Sequence, residues 1–259
     1  MKKLNLKFTV KNIIVLSLVA VLLLTLLLTG LLLKIGHVNV TISTGYGYIT
    51  TSQVEQCLDI EDNSRLLAVM NKYKSLWFFM DTKDLESKCL ENFIYADSVK
   101  CTVDGKDINI VVNECLPVVY VACGEMYLLM DSKGKILEAH DEMKLDYPLY
   151  GGKVDNFSLG GYIQIAESEL KTINRIRTAF DNTDLHREVL GRINKFSIQK
   201  TGDIIMMTSD GITINMGPVD DIEENLFTLK EILVEYLCKG QVGYLDFTTG
   251  GDPVFTEYK

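Results

Sequence analysis

Residues 96–119 read ADSVKCTVDGKDINIVVNECLPVV. Asp104-Gly105 stands between two apolar-alternating runs and is the strongest short-range signal for a β-hairpin, because Gly tolerates the positive φ that a tight turn needs. The runs are 96–103 and 106–112. Val99, Cys101 and Val103 share one face of the first strand, and Ile108, Ile110 and Val112 share one face of the second. A hairpin with one apolar face needs something to cover it, so the flanking sequence must supply helices or more sheet.

Working back from the hairpin, those helices come into view. His37-Val38-Asn39-Val40-Thr41-Ile42 alternates polar and apolar residues as a half-buried strand does, and Gly45 and Gly47 end it. Thr51, Ser52 and Glu55 then supply a helix start. Ser52 and Glu55 have capping-box spacing, and Val54, Cys57 and Leu58 lie on one side of the helix. Within 63–75, Leu66, Leu67, Val69 and Met70 fit either further helix or a short extended piece. After Trp77-Phe78-Phe79-Met80, Asp81 or Thr82 is positioned to cap a second helix that runs through Glu91, with Leu85, Cys89 and Leu90 on its apolar side. The aromatic cluster reads as a buried anchor for that helix, with a partner patch as the alternative. The order is therefore strand, helix, helix, strand, strand: two helices on one face of a three-stranded sheet.

Forward of the hairpin the chain is strand-rich. Strands are expected at 118–122 and 126–130, with a short piece near Ile136, separated by Gly124 and by Asp131-Ser132-Lys133-Gly134. A helix over 167–181 carries Leu170, Ile173, Ile176, Arg177 and Phe180 on its inner stripe. A meander of 195–200, 204–209 and 212–216 turns at Thr201-Gly202 and Asp210-Gly211. A second helix over 221–238 shows Ile222, Leu226, Leu229, Leu233 and Leu237 at helical period. The last pair, 242–248 and 253–258, is joined at Gly250-Gly251. The expected class is α+β, with a mixed, strand-rich second domain ending in an exposed edge strand.

At the other end, residues 13–33 form an uncharged apolar run of about 31 Å as a helix, the thickness of a bilayer's hydrocarbon core. The hydroxyls of Ser17, Thr25 and Thr29 can bond back to helix carbonyls. Lys2, Lys3, Lys7 and Lys11 precede it; Lys34 and His37 follow it. The positive-inside rule puts residues 1–12 in the cytoplasm and the remainder outside. The run is longer than a signal-peptide core and has no small-x-small site at its end, so an uncleaved anchor is expected, with a cleaved leader as the rival reading. The domain limits expected are 1–12, 13–33, 34–114 and 115–259.

Setting aside the four lysines before the span leaves 22 basic against 35 acidic residues, a formal charge of −13. That sign argues against electrostatic binding of nucleic acid or of anionic lipid head groups. Six cysteines, Cys57, Cys89, Cys101, Cys115, Cys123 and Cys238, permit disulfides outside the cytoplasm. Their apolar neighbours fit buried free thiols, and no spacing suggests zinc. Of the three histidines, His37 abuts the span, His140 sits among Glu138, Asp141 and Glu142 in what reads as a solvated loop, and His186 belongs to no HExxH. Gly151-Gly152 and Gly160-Gly161 read as turn glycines. Asp220, Asp221, Glu223 and Glu224 fall at a helix start, where the dipole favours acids. No nucleophile elbow, SxxK or phosphate loop is present. Neither catalysis nor any cofactor or metal is expected.

A binding scaffold fits better. The final strand is the best candidate edge: Pro253 cannot donate to a ladder, and Val254, Phe255, Thr256, Glu257 and Tyr258 offer alternate side chains to an added strand. Val38, Val40 and Ile42 mark a second edge, near the membrane.

Several motifs in this order resemble the bacterial cell-division family FtsQ, called DivIB in Gram-positive organisms. Glu114-Cys115-Leu116-Pro117-Val118-Val119 is similar to the E-x-x-P-[VI]-[AV] junction between that family's two domains. Met130-Asp131-Ser132-Lys133-Gly134 resembles its D-x-x-G turn, Tyr147-Pro148-Leu149-Tyr150-Gly151 its P-x-x-G, and Met216-Gly217 and Tyr244-Leu245-Asp246-Phe247 its late strand ends. Residues 63–75 look like an insertion, and Cys115 stands where a basic residue is common. The resemblance implies a POTRA domain over 34–114 and a single-pass cell-membrane protein of the division septum. It implies a non-catalytic scaffold for FtsB/DivIC-like and FtsL-like partners and the septal peptidoglycan synthase. The implied contact lies on the last strand and on the outward face of 224–236, including Tyr236. Another POTRA-bearing envelope scaffold or single-span sensor is the alternative.

Overall fold

The computed structural model describes residues 10–32, 34–60, 62–64, 69, 82–144, 147–182, 191–237 and 240–258. Two compact units divide the chain, Met1–Glu114 and Cys115–Lys259. In the first, the hairpin is formed by β2 (Ala96–Asp104) and β3 (Asp107–Glu114), with Val99 opposite Val112, Cys101 opposite Ile110 and Val103 opposite Ile108. β1 (Val38–Ile42) adds to β3 in parallel, giving the order β1-β3-β2. Ile108, Ile110 and Val112 are fully buried, as the alternation requires. Over them pack α2 (Thr51–Leu58) through Val54 and Leu58, and α3 (Lys83–Asn92) through Leu85 and Cys89. Each such aliphatic side chain withdrawn from water contributes about 1.5–3 kcal/mol, which is what fixes the helices to this face.

The capping box of α2 lies two residues before the expected pair. Thr50 Oγ1 accepts the N–H of Gln53 at 3.3 Å, and Gln53 Oε1 accepts the N–H of Thr50 at 2.8 Å. Ser52 and Glu55 have the same spacing, but the extended backbone at Thr50 is where the chain turns into the helix. α3 carries no side-chain cap at Thr82. Instead Glu86 Oε1 accepts from the Thr82 hydroxyl at 3.3 Å and from the Cys101 N–H at 2.9 Å, tying the helix to the outer side of β2. The aromatic cluster at 77–80, most of 63–75, and Asp81 lie outside the described residues, as do His186 and Cys238.

Glu114, at the end of β3, is buried, and its role is structural. Its carboxylate accepts the N–H of Tyr46 and of Ile49, each at 2.7 Å, and the hydroxyl of Thr44 at 3.3 Å. The glycine-containing loop after β1 is thus folded around one acid side chain, which satisfies backbone donors that the sheet leaves unpaired.

The second unit is a nine-stranded sheet. Its strands are β4 (Pro117–Cys123), β5 (Met126–Asp131), β6 (Ile136–His140), β7 (Leu149–Lys153), β8 (Ile193–Ile198), β9 (Asp203–Thr208), β10 (Ile212–Pro218), β11 (Gly243–Asp246) and β12 (Val254–Glu257). They lie in the order β12-β11-β10-β9-β8-β7-β4-β5-β6. α4 (Glu167–Asn182) and α5 (Ile222–Glu231) lie side by side and bury Ile173, Ile176, Phe180, Ile222, Leu226 and Leu229 against the sheet. The helix expected over 221–238 is divided: a 3-10 turn at Val219–Asp221, α5, and a π turn at Ile232–Tyr236. The stripe from Ile222 to Leu237 is buried throughout.

Three parts of the second unit differ from what the sequence pattern suggests. Gly151 and Gly152 stand in β7, which the sequence presented as a loop; its short run is paired on both sides, in parallel to β4 and β8. The piece near Ile136 is a full strand. His140 ends that strand, where it hydrogen-bonds Glu138 and meets the Tyr120 ring edge-on, so it does not belong to a solvated loop. Asp131 builds the expected tight turn: its Oδ1 accepts the N–H of Lys133 and of Lys135, each at 2.8 Å, and Gly134 takes φ +82°.

Near the start of the chain, α1 (Val10–Leu32) is a helix of 23 residues. Ser17 and Thr25 donate to Ile14 O and Leu22 O at 2.9 and 2.8 Å, as expected for hydroxyls in an apolar helix. Ile13, Leu16, Leu18 and Leu22 among others are exposed on this helix. Among the described residues no helix is long and apolar enough to cross a membrane.

Candidate functional site

The nine-stranded sheet has two ends, and they differ. At one end the start of β6 is covered by the loop at 158–163. Ile136 donates to Gly161 O and Gly160 to Ile136 O, each at 2.8 Å, and Lys135 bridges Tyr162. At the other end β12 pairs with β11 alone, with Leu245 opposite Phe255 and Tyr244 opposite Thr256.

The direction of the free groups follows from one bond. Tyr258 donates to Val242 O at 2.9 Å, so the even-numbered residues of the strand turn their backbone toward β11. Backbone polarity alternates along a strand, which leaves the N–H and C=O of Phe255 and Glu257 facing outward. Pro253 falls on the outward parity, where its missing N–H costs the ladder nothing. The edge therefore offers a short row of two donors and two acceptors, enough to register an added strand of about four residues.

Side chains divide differently. Val254, Thr256, Glu257 and Tyr258 are exposed. Phe255 is half-buried and packs against the core of the second unit. Its aromatic ring reaches over Gly243, which leaves room for it by having no side chain. A charge at Phe255 would therefore disturb the strand itself: Phe255 holds the edge in place, and what the edge leaves open is its backbone and its neighbours' side chains.

Tyr236 closes the π turn and is 71% exposed. Phe227 and Val234, two turns apart on the same helical segment, are 58% and 61% exposed. Phe227 and Val234 share one helix flank, being seven residues apart, whereas Tyr236, two residues past Val234, falls on a different side. The sequence could have shown Phe227 and Val234, because both fall beside the periodic inner stripe rather than on it. Arg192 steadies this turn: its Nη1 donates to Leu233 O at 2.5 Å and its Nη2 to Asp210 Oδ2 at 2.6 Å.

In the first unit, β1 is also an edge. Val38, Val40 and Ile42 are half-buried and pack on the core beneath, with Asn39 and Thr41 exposed.

No protein-family model matches the chain, and no curated protein matches it. Among solved structures, it is similar to the major extracytoplasmic domain of the trans isomer of the bacterial cell division protein DivIB from Geobacillus stearothermophilus. Identity is 14%, the match covers 49% of this chain and 98% of that one, and the TM-score is 0.31.

Proposed function

We propose that this chain is a non-catalytic scaffold of the bacterial division machinery, of FtsQ/DivIB type, held by residues 13–33 in the cell membrane with residues 34–259 outside the cytoplasm. The observation that carries the proposal is the open β12 edge, whose outward backbone groups at Phe255 and Glu257 have no strand beside them among the described residues. The sequence motifs at 114–119 and 130–134 support the family reading. Within those motifs, buried Glu114 and Asp131 each hold a local turn or loop together.

On this reading, FtsB/DivIC-like and FtsL-like single-span proteins add a strand to β12 and lay apolar side chains on Phe227, Val234 and Tyr236. Tethering both sides to one membrane raises their effective concentration, so a short edge suffices. Bound in this way, the partners are placed to regulate septal peptidoglycan synthesis.

The test is co-purification with co-expressed DivIC-like and FtsL-like proteins. Glu257→Pro removes an outward N–H that no ladder bond uses, and Tyr236→Asp replaces an exposed aromatic side chain by a charge. Both variants are expected to fold, and capture is expected to fall about tenfold, the effect of losing one or two well-made contacts. A fluorescent fusion should gather at the septum. Undiminished capture by both variants, or a fusion spread evenly around the envelope, overturns the proposal.

A further inference from the structure

The β1 edge of the first unit carries a second interaction surface, and its chemistry differs from that of β12. Ile108 donates to His37 O at 2.9 Å and Ser43 donates to Val112 O at 3.0 Å, so the odd-numbered residues of β1 face β3. The even-numbered ones face away. Val38 confirms the parity, since its N–H leaves the sheet and is taken by Asp62 Oδ1 at 2.9 Å. Past that plug, the N–H and C=O of Val40 and Ile42 point outward with no strand beside them among the described residues.

The opposite edge of the same sheet differs, because the outward N–H of Cys101 on β2 is already held by Glu86. A groove of about 480 Å³ opens at the start of β1 against α2, lined by Val38, Glu55, Gln56, Asp59, Ile60 and Asp62. Three of these six are carboxylates and none is basic. Asp62 shares its charge with His37 at 3.1 Å, while Glu55 and Asp59 belong to the helix wall.

We propose that β1 accepts an extended segment of a partner protein whose alternate side chains are lysine or arginine. The segment would pair with Val40 and Ile42 and turn its basic side chains to the groove. Edge pairing supplies the affinity, and the acids select the partner. A second copy of this chain is a poor occupant, because two β1 edges brought together would face Glu55 and Asp59 toward their own equivalents.

The test uses the full chain in detergent micelles and a fluorescein-labelled octapeptide of alternating Lys and Val, read by anisotropy against an alternating Glu and Val peptide. The basic peptide is expected to bind and the acidic one to stay free. Glu55→Lys should weaken binding about fivefold, the upper range for an exposed ion pair. Val40→Pro removes an outward donor without touching a ladder bond and should weaken it about tenfold. Methylating alternate amides of the basic peptide on its pairing side should abolish binding to the unaltered chain, which keeps the proposal testable if Val40→Pro fails to fold. Equal binding of both peptides, full affinity for the methylated peptide, or a dimer of this chain that Val40→Pro dissociates would overturn it.

Discussion

Phe255 and Gly243 sit opposite sides of one strand pair as ring and gap: a β-carbon built on Gly243 would stand 2.5 Å from Phe255 Cζ and 2.5 Å from Thr256 O. The edge strand is therefore seated by an aromatic ring filling space that only glycine leaves.

Gly243→Ala should unseat that ring. Neither the backbone oxygen of Thr256 nor the ring can yield without moving β12, so a loss of about 1–3 kcal/mol is expected from overpacking. Phe255→Ala, leaving the gap unfilled, should cost a comparable amount. Urea unfolding of the full chain checks both. A Gly243→Ala variant with unchanged midpoint and unchanged amide exchange at 254–258 would refute the fit described here.

Glu114 makes a second specific demand. In Glu114→Gln, one carboxylate oxygen becomes an NH₂ that meets N–H or O–H donors from Thr44, Tyr46 or Ile49. A buried donor left facing a donor costs about 1–3 kcal/mol. The expected result is lower stability of the first unit, seen as faster proteolysis or exchange over 43–50. Wild-type exchange in that loop would show that the carboxylate is dispensable.

The His37–Asp62 pair fixes the approach to β1. Hydrogen bonding to Asp62, helped by its charge and that of Asp107, raises the His37 imidazole above 6.5. The Val38 N–H, then His37, holds the Asp62 carboxyl below 3.8. A raised histidine contributes fully below 6.5 and loses its contribution as pH climbs through the folded value. A lowered aspartate contributes fully above 3.8 and loses its contribution as pH falls through its folded value. The pair should thus be complete between about 3.8 and 6.5 and weaken on either side. NMR titration of His37 is the measurement, and Asp62→Asn should bring its midpoint back toward 6.5. A midpoint indifferent to Asp62→Asn would exclude the pairing.

Thiol reactivity should follow burial. Burial, with Cys89 and Glu86 nearby, pushes the Cys101 thiol up to about 12; burial, with Cys57 nearby, pushes Cys89 to about 11. The thiolate is the reacting form, so both should resist alkylation at pH 8. None of the five described cysteines is in a disulfide; Cys57 and Cys123 are partly exposed and Cys115 is buried. Mass spectrometry after maleimide treatment should find Cys57 and Cys123 labelled first. Early labelling of Cys101 in the folded protein would contradict the packing.

Local pattern carried much of this protein. Asp104-Gly105 between alternating runs announced the β2–β3 hairpin, but the tight turn falls one residue later than that pair suggests, at Gly105-Lys106 between the paired Asp104 and Asp107, and this is what sets Val99 opposite Val112. The five apolar residues from Ile222 to Leu237 placed a helix for the same kind of reason, and the turn at Asp131 needs nothing beyond its own residues. Tertiary structure decided the rest. Leu149–Lys153 is too short and too glycine-rich to announce a strand, and becomes one because β4 and β8 pair with it from both sides. Ser52 and Glu55 matched a cap as well as Thr50 and Gln53 did, and the chain's entry into α2 chose between them. Which edge stays open, and that Phe255 turns inward over Gly243, depend on which strands meet across the sheet. That is a property of long-range pairing and packing, in which residues far apart in the chain compete for the same hydrogen bonds and the same space.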